Sequence, residues 1–137
     1  MHDVKSISEK LEAAGVNPTA QRIAIYQSVM SEANHPTADE VKRWTDENFP
    51  KLSLATVYNT LKILVRANLL KELKLPHIGK VLYDCNVSDH HHFLDEDTGQ
   101  LIDIDPELVE VRPKLKKGFV VNDVQVLLRG KGPTRKT

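Results

Sequence analysis

Three consecutive histidines, His90, His91 and His92, directly follow Asp89, and Asp103 stands eleven residues past the last of them. Imidazole nitrogens mixed with carboxylate oxygens, with no thiolate among them, suit divalent iron, manganese, zinc or nickel and disfavour a soft, cysteine-rich centre. In an extended segment alternate side chains share a face. His90 and His92 then point to one side and Asp89 and His91 to the other, so one strand can serve two sites. Taken alone, such a triplet also reads as a solvated turn whose histidines bind nothing.

The chain that must position these residues has 137 residues, 40% hydrophobic and 28% charged, enough for one ordinary globular domain or two small ones. Its net charge of zero hides a segregation. Residues 1–80 carry 11 Lys/Arg against 9 Asp/Glu, residues 81–111 carry 9 acids and no base, and residues 112–137 carry 8 bases against 1 acid. The acidic middle attracts cations and repels phosphate, so nucleic-acid contact must come from elsewhere unless a bound metal neutralises it. The single cysteine, Cys85, rules out an intramolecular disulfide and a zinc centre built from cysteines alone. No apolar run approaches the ~20 residues that span a bilayer, and the start Met1-His2-Asp3-Val4-Lys5 lacks a signal-peptide pattern. A cytoplasmic protein with no membrane partner is the expectation.

Ser6-Ile7-Ser8-Glu9 has the form of a capping box for a short first helix that stops at Gly15. Thr19 caps a second, with Ile23, Tyr26, Val29 and Met30 at helical spacing, and Thr37-Ala38-Asp39-Glu40 opens a third through Val41 and Trp44. Ser53 caps a fourth. There Leu54, Val57, Leu61, Leu64 and Val65 form an apolar stripe, while Thr56, Asn59, Thr60 and Lys62 lie off it. Trp44, Val57 and Leu61 are assigned to the core. Two short β-like runs, 69–75 and 80–84, flank the turn Pro76-His77-Ile78-Gly79. Helices followed by a two-stranded wing make the winged helix-turn-helix, whose last helix enters the major groove. Beyond a hinge near 82–87, strands are expected over 90–94, 100–104 and 119–128, followed by a frayed basic tail from Arg129.

The run His35-Pro36-Thr37-Ala38-Asp39-Glu40, the helix Ser53-Leu54-Ala55-Thr56-Val57-Tyr58-Asn59-Thr60-Leu61, and Asp89-His90-His91-His92 followed by Gly99 and Asp103 together resemble the ferric uptake regulator family. The resemblance covers nearly the whole chain in the right order. It implies an α+β protein: an N-terminal winged helix-turn-helix DNA-binding domain over 1–82, then a small α/β dimerisation and metal-sensing domain over 83–137. It implies a cytoplasmic homodimer that binds a palindromic operator in double-stranded DNA. The implied regulatory metal ligands are His35, Asp84, His90, His92 and Asp103, taking Fe2+ or Mn2+, with Zn2+ as an in vitro occupant. A second site maps to Asp89, His91 and Glu110, with Asp123 as the nearest substitute for a histidine absent from 123–125. The paired CxxC motifs of many members are missing, the first being replaced by Asp95-Glu96-Asp97-Thr98, so no structural zinc held by four cysteines is expected.

Two effectors compete within this resemblance. Aspartates at both acidic positions, Asp84 and Asp103, are similar to those of peroxide-stress regulators, in which iron-catalysed oxidation strikes a histidine ligand, here His35 or His90. The triplet followed by Phe93 and the absence of CxxC are more similar to the iron response regulators, which respond to haem. No Cys-Pro dipeptide supports haem, since Asn86 follows Cys85, but histidine alone can hold haem iron. On DNA, Tyr58 is placed against thymine methyls and Asn59 where several relatives carry arginine, which points to an A/T-rich palindrome. Arg22, Ser53 and Lys62 are candidate phosphate contacts, with Thr56 and Thr60 beside them. The rivals from other classes are a small metallohydrolase, for which no general base is paired with the cluster, and a metal-storage protein, which needs neither reading helix nor wing. A regulator without enzymatic activity is the preferred reading.

Overall fold

A computed structural model describes residues 3–31, 35–49, 51–75 and 78–133. The chain divides into two compact units, Met1–Val87 and Ser88–Thr137. The division falls after Val87, not between residues 82 and 83, because the strand Leu82–Asp84 pairs with the strand Lys71–Leu73 and so belongs to the first unit; these are β2 and β1.

The first unit carries α1 (Val4–Ala13), α2 (Ala20–Ser31), α3 (Ala38–Asn48), α4 (Leu54–Arg66) and the antiparallel hairpin of β1 (Lys71–Leu73) and β2. Three of the helix starts obey local capping chemistry. Thr19 accepts from the Arg22 N–H, Thr37 and Glu40 form a reciprocal capping box, and the Ser53 hydroxyl accepts from Thr56 N–H. The first helix starts elsewhere than expected: Asp3, not Ser6, is its cap, accepting from Ser6 N–H, so the Ser6–Glu9 box lies inside the helix. An aspartate three residues upstream offers the same acceptor one turn earlier, and the helix takes it.

Ile7, Leu11, Ile25, Val29, Val41, Val57, Leu61, Leu64 and Leu70 are buried together as one core. Trp44 stands outside this set and is half-buried; the core position on that turn of α3 goes to Thr45, fully buried, whose hydroxyl donates to the Lys42 carbonyl. Thr60 is also buried, because it lies three residues after Val57 and four before Leu64 on the packed side of α4. Leu54, assigned to the stripe, is exposed.

Ser28 of α2 is fully buried, and its hydroxyl has no hydrogen-bond partner among the described residues. Removing it deletes an uncompensated desolvation and improves helix propensity. Ser28→Ala is expected to stabilise the fold by about 1 kcal/mol, raising Tm by about 4–8 °C for a unit of this size. A lowered Tm in a thermal melt would show that the hydroxyl is satisfied in solution.

The second unit is a three-stranded sheet in the order β4-β3-β5, built from β3 (His91–Asp95), β4 (Leu101–Ile104) and β5 (Leu127–Gly130), with a 3-10 turn at Pro106–Leu108. β3 and β4 are antiparallel with His92 opposite Asp103, while β5 runs parallel to β3 with Leu127 opposite His92. The last strand is shorter than the valine-rich run implied, since residues 119–126 lie outside any strand. Arg129 and Gly130, expected in the frayed tail, belong to the strand; residues 134–137 lie outside the described residues, as do Pro76 and His77 of the wing turn.

Candidate metal centre and nucleic-acid interface

In the first unit, the Tyr83 N–H donates to the Pro36 carbonyl at 2.9 Å, fastening the loop before α3 to β2. This bond sets His35 beside Asp84, with Nε2 3.3 Å from Oδ2 and both side chains buried. Asp84 Oδ1 accepts the Asn86 N–H at 2.9 Å, which fixes the carboxylate plane and aims Oδ2 at the imidazole. His35 holds φ at 48°, in the left-handed region that a non-glycine residue seldom occupies. A backbone held there costs about 1–3 kcal/mol and persists where its surroundings over-determine it.

In the second unit the strand alternation separates the histidines as expected. His90 and His92 place their Nε2 atoms each 3.4 Å from Asp103 Oδ1, with ring centroids 4.6 Å apart. The two rings differ from His91 in tautomer logic. His90 Nδ1 lies 2.7 Å from the Ser88 carbonyl, which can only accept, so the ring donates from Nδ1, and in the neutral ring Nε2 is the lone-pair nitrogen. His91 has the opposite arrangement: its Nδ1 accepts the Val126 N–H at 3.2 Å, which leaves the proton of the neutral ring on Nε2. His90 therefore presents a ligand nitrogen and His91 a donor.

A lone-pair nitrogen and a carboxylate oxygen facing each other at 3.4 Å are two acceptors, and they require a cation between them, either a proton or a metal ion. Ligands about 2.1 Å from a common ion lie about 3.0–3.4 Å from one another, so these separations fit a divalent ion bound by nitrogen and oxygen. The orienting bond from His90 Nδ1–H to a backbone carbonyl is the outer-shell contact that metal-bound histidines use. Among the described residues no group of three or more ligand side chains includes Asp89, His90, His91 or Glu110. Glu110 pairs instead with Arg112, and Asp123 with Gln125.

On the DNA-reading side, Ser53, Tyr58, Asn59 and Lys62 are exposed and Thr56 is half-buried. Arg22 is half-buried and donates to the Asn17 carbonyl at 3.1 Å, so part of its guanidinium is engaged by the turn before α2. The buried Thr60 does not reach the surface, because its place on α4 faces the core. A groove of about 790 Å³ runs between α3, α4 and the wing, lined by Arg43, Lys62, Lys74 and Lys80, by the acids Asp39, Glu40 and Glu72, and by Tyr58, Asn59 and Tyr83. Burial, then Glu72 and Tyr58, push the Tyr83 phenol above its ordinary value, so it stays protonated and able to donate. Arg43, Lys74 and Tyr83 were not legible as groove-lining residues. Their helix and strand periods say nothing about which face the folded wing turns toward α4.

The ferric uptake regulator family profile matches residues 13–129. The chain belongs to that family. Among its curated relatives, the peroxide operon regulator of Bacillus subtilis (strain 168) is 37% identical over 111 residues, covering 80% of this chain and 76% of that protein. A solved ferric uptake regulator from Pseudomonas aeruginosa with manganese superposes with a TM-score of 0.67 at 25% identity, covering 93% of this chain and 98% of that one. A zinc-bound manganese uptake regulator superposes with a TM-score of 0.70 over 93% of this chain and 98% of that one; at 24% identity the likeness speaks for the fold. The family's fold class, a winged helix-turn-helix unit followed by a small sheet-containing unit, is the one described above. Among the described residues no helix is long and apolar enough to cross a membrane.

Proposed function

We propose that this chain is a cytoplasmic, metal-dependent transcriptional repressor of iron-homeostasis or oxidative-stress genes, without enzymatic activity. It binds an A/T-rich palindromic operator as a homodimer, and Fe2+ or Mn2+ controls its affinity. The regulatory ligands are His35, Asp84, His90, His92 and Asp103. The observations that carry this reading are the imidazole–carboxylate pairs, His35 with Asp84 at 3.3 Å and His92 with Asp103 at 3.4 Å, with His90 also 3.4 Å from Asp103. A divalent ion there supplies the positive charge that the facing acceptors require. Ligands from both units favour one domain arrangement over others, which converts binding energy into a population shift toward the DNA-competent dimer. The tautomer of His91 speaks against the second site at Asp89, His91 and Glu110.

The homodimer is supported by the segment between β4 and β5. Leu108, Val111, Leu115, Phe119, Val120, Val121 and Val124 are all exposed within it, more apolar surface than a monomer ordinarily leaves to water. A second copy is the occupant that buries it. DNA contact falls to Tyr58, Asn59, Ser53, Thr56 and Lys62, with Arg22 in a secondary role.

A peroxide-responsive reading is favoured by the name of the Bacillus subtilis relative; under it, ferrous iron bound at the same ligands reacts with peroxide, and His35 or His90 is oxidised. The test is binding to an A/T-rich palindromic library by apo protein, then with Mn2+, anaerobic Fe2+ and haem in separate arms. Tighter binding with Fe2+ or Mn2+ is expected, and loss of the Fe2+ complex alone on adding peroxide identifies the peroxide sensor. Binding by apo protein that haem abolishes replaces the metal-activated reading with a haem-responsive one, and no binding in any arm overturns the proposal. Within the same assay, Tyr58→Ala is expected to weaken operator binding about 5- to 100-fold, the worth of one good base contact, with metal affinity unchanged. Equal loss of both would mean that Tyr58 supports the fold.

A further inference from the structure

The turn between β3 and β4 is tied to the far end of β5 by a set of contacts that the metal and DNA readings leave unused. Asp95, the last residue of β3, accepts the N–H of Asp97 at 2.9 Å and that of Thr98 at 3.3 Å through Oδ1. Its Oδ2 accepts the N–H of Gly132, two residues past the end of β5, at 3.3 Å. The adjacent Glu96 N–H donates to the Gly130 carbonyl at 2.8 Å. A Cβ at position 132 would stand 2.9 Å from Oδ2, so a side chain there would push the carboxylate oxygen off the Gly132 N–H.

We propose that Asp95 is a carboxylate latch that holds the edge strand β5 on the sheet, so that loss of its charge releases residues 127–132 from β3 while β3 and β4 remain paired. Among the described residues β5 pairs with β3 alone, and it is four residues long. A parallel pair that short is weak by itself, and a charge-assisted bond beyond its end is a large addition. At its entry β5 is held by another side chain, His91, through the Val126 N–H. The strand is thus pinned at both ends by residues of β3.

The charges around the latch agree with this role. Burial pushes the Asp95 carboxyl up, but the N–H groups of Asp97, Thr98 and Gly132 outweigh it and hold the group below its ordinary value. From β5 and its exit, Arg129 lies 3.7 Å from Glu96 and Lys131 3.6 Å from Asp97, all four exposed, so these pairs are screened and secondary. The β4 side offers Gln100 and Ile102, which carry no charge. With a depressed folded-state value, the latch contributes fully above the unfolded value of aspartate and is lost as pH falls through the folded one.

The test is amide hydrogen exchange of the full-length protein at neutral pH, comparing residues 127–132 with β4. Asp95→Asn keeps one acceptor oxygen but turns an amide nitrogen toward the Gly132 N–H. Exchange over 127–132 is expected to rise at least about tenfold, the loss of a hydrogen bond to a charged group, with β4 unchanged. Gly132→Ala leaves the charge in place and displaces Oδ2, and it is expected to do the same. Lys131→Ala is expected to change exchange less than about threefold. If Asp95→Asn unfolds the unit, β4 exchange rises too and Gly132→Ala decides. Unchanged exchange over 127–132 in Gly132→Ala, or an equal rise in Lys131→Ala, overturns the latch.

Discussion

His92→Ala is expected to abolish the stimulation of operator binding by Fe2+ or Mn2+ at metal concentrations that saturate the wild type, with metal affinity lowered by about 100-fold or more. Loss of an outer-shell partner alone typically weakens a metal site about 10- to 100-fold, and removal of a ligand itself does at least as much. His92 sits opposite Asp103 in the β3–β4 ladder with Nε2 3.4 Å from Oδ1, so its removal takes away a donor at the centre of the proposed set. The backbone ladder does not depend on the imidazole, and the far-ultraviolet circular dichroism spectrum should remain native. His91→Ala is the matched control on the same strand. It loses the bond to Val126 and loosens the entry to β5, yet should retain the metal response, because the neutral ring offers no lone pair outward. Operator titrations with each variant across a metal series decide the matter. A full response in His92→Ala removes that residue from the regulatory set, and a lost response in His91→Ala points to a second ligand face.

Leu61→Ala is expected to destabilise the first unit by about 2–5 kcal/mol, the range for truncating a buried leucine whose site cannot collapse. Leu61 is fully buried, at the middle of α4, among the core side chains contributed by all four helices. Against a total of about 5–15 kcal/mol for an ordinary domain, that is a large share of the stability. Urea unfolding should show a lower midpoint with an unchanged slope, since the surface exposed on unfolding stays the same. At temperatures where the variant is still folded, operator affinity should fall only by the unfolded fraction, because Tyr58 and Asn59 are exposed and take no part in the core that Leu61 fills. A loss below about 1 kcal/mol would place Leu61 outside the core.

The helix starts at Thr19, Thr37 and Ser53 were readable because a cap is a bond between residues three apart, and every partner it needs is in the local sequence. The separation of His90 and His92 from His91 was readable for a similar reason, since strand side chains alternate wherever a strand forms. Where local signals competed, reading failed. Asp3 and Ser6 both offer a cap to the first helix, and the difference between them depends on whether one more turn offsets the cost of its own ordering. Trp44 looked like core by its size, but core membership depends on which face of α3 meets α2 and α4, and that face presents Val41 and Thr45. Residues 119–126 alternate imperfectly and remain outside the sheet, because a strand exists only where a neighbour completes its hydrogen bonds.

By itself the sequence determined the alternation of the histidine triplet, the order of the elements and the capping that starts most of the helices. All of these follow from residue type and from spacings of two to four positions. Tertiary structure alone decided that the His91 ring accepts the N–H of Val126, 35 positions away. It likewise decided that Arg43 and Lys74 share a groove with Tyr58, and that Asp95 meets an amide 37 positions away. These are contacts between segments distant in sequence. Their energies belong to the packed arrangement, and no local pattern records them.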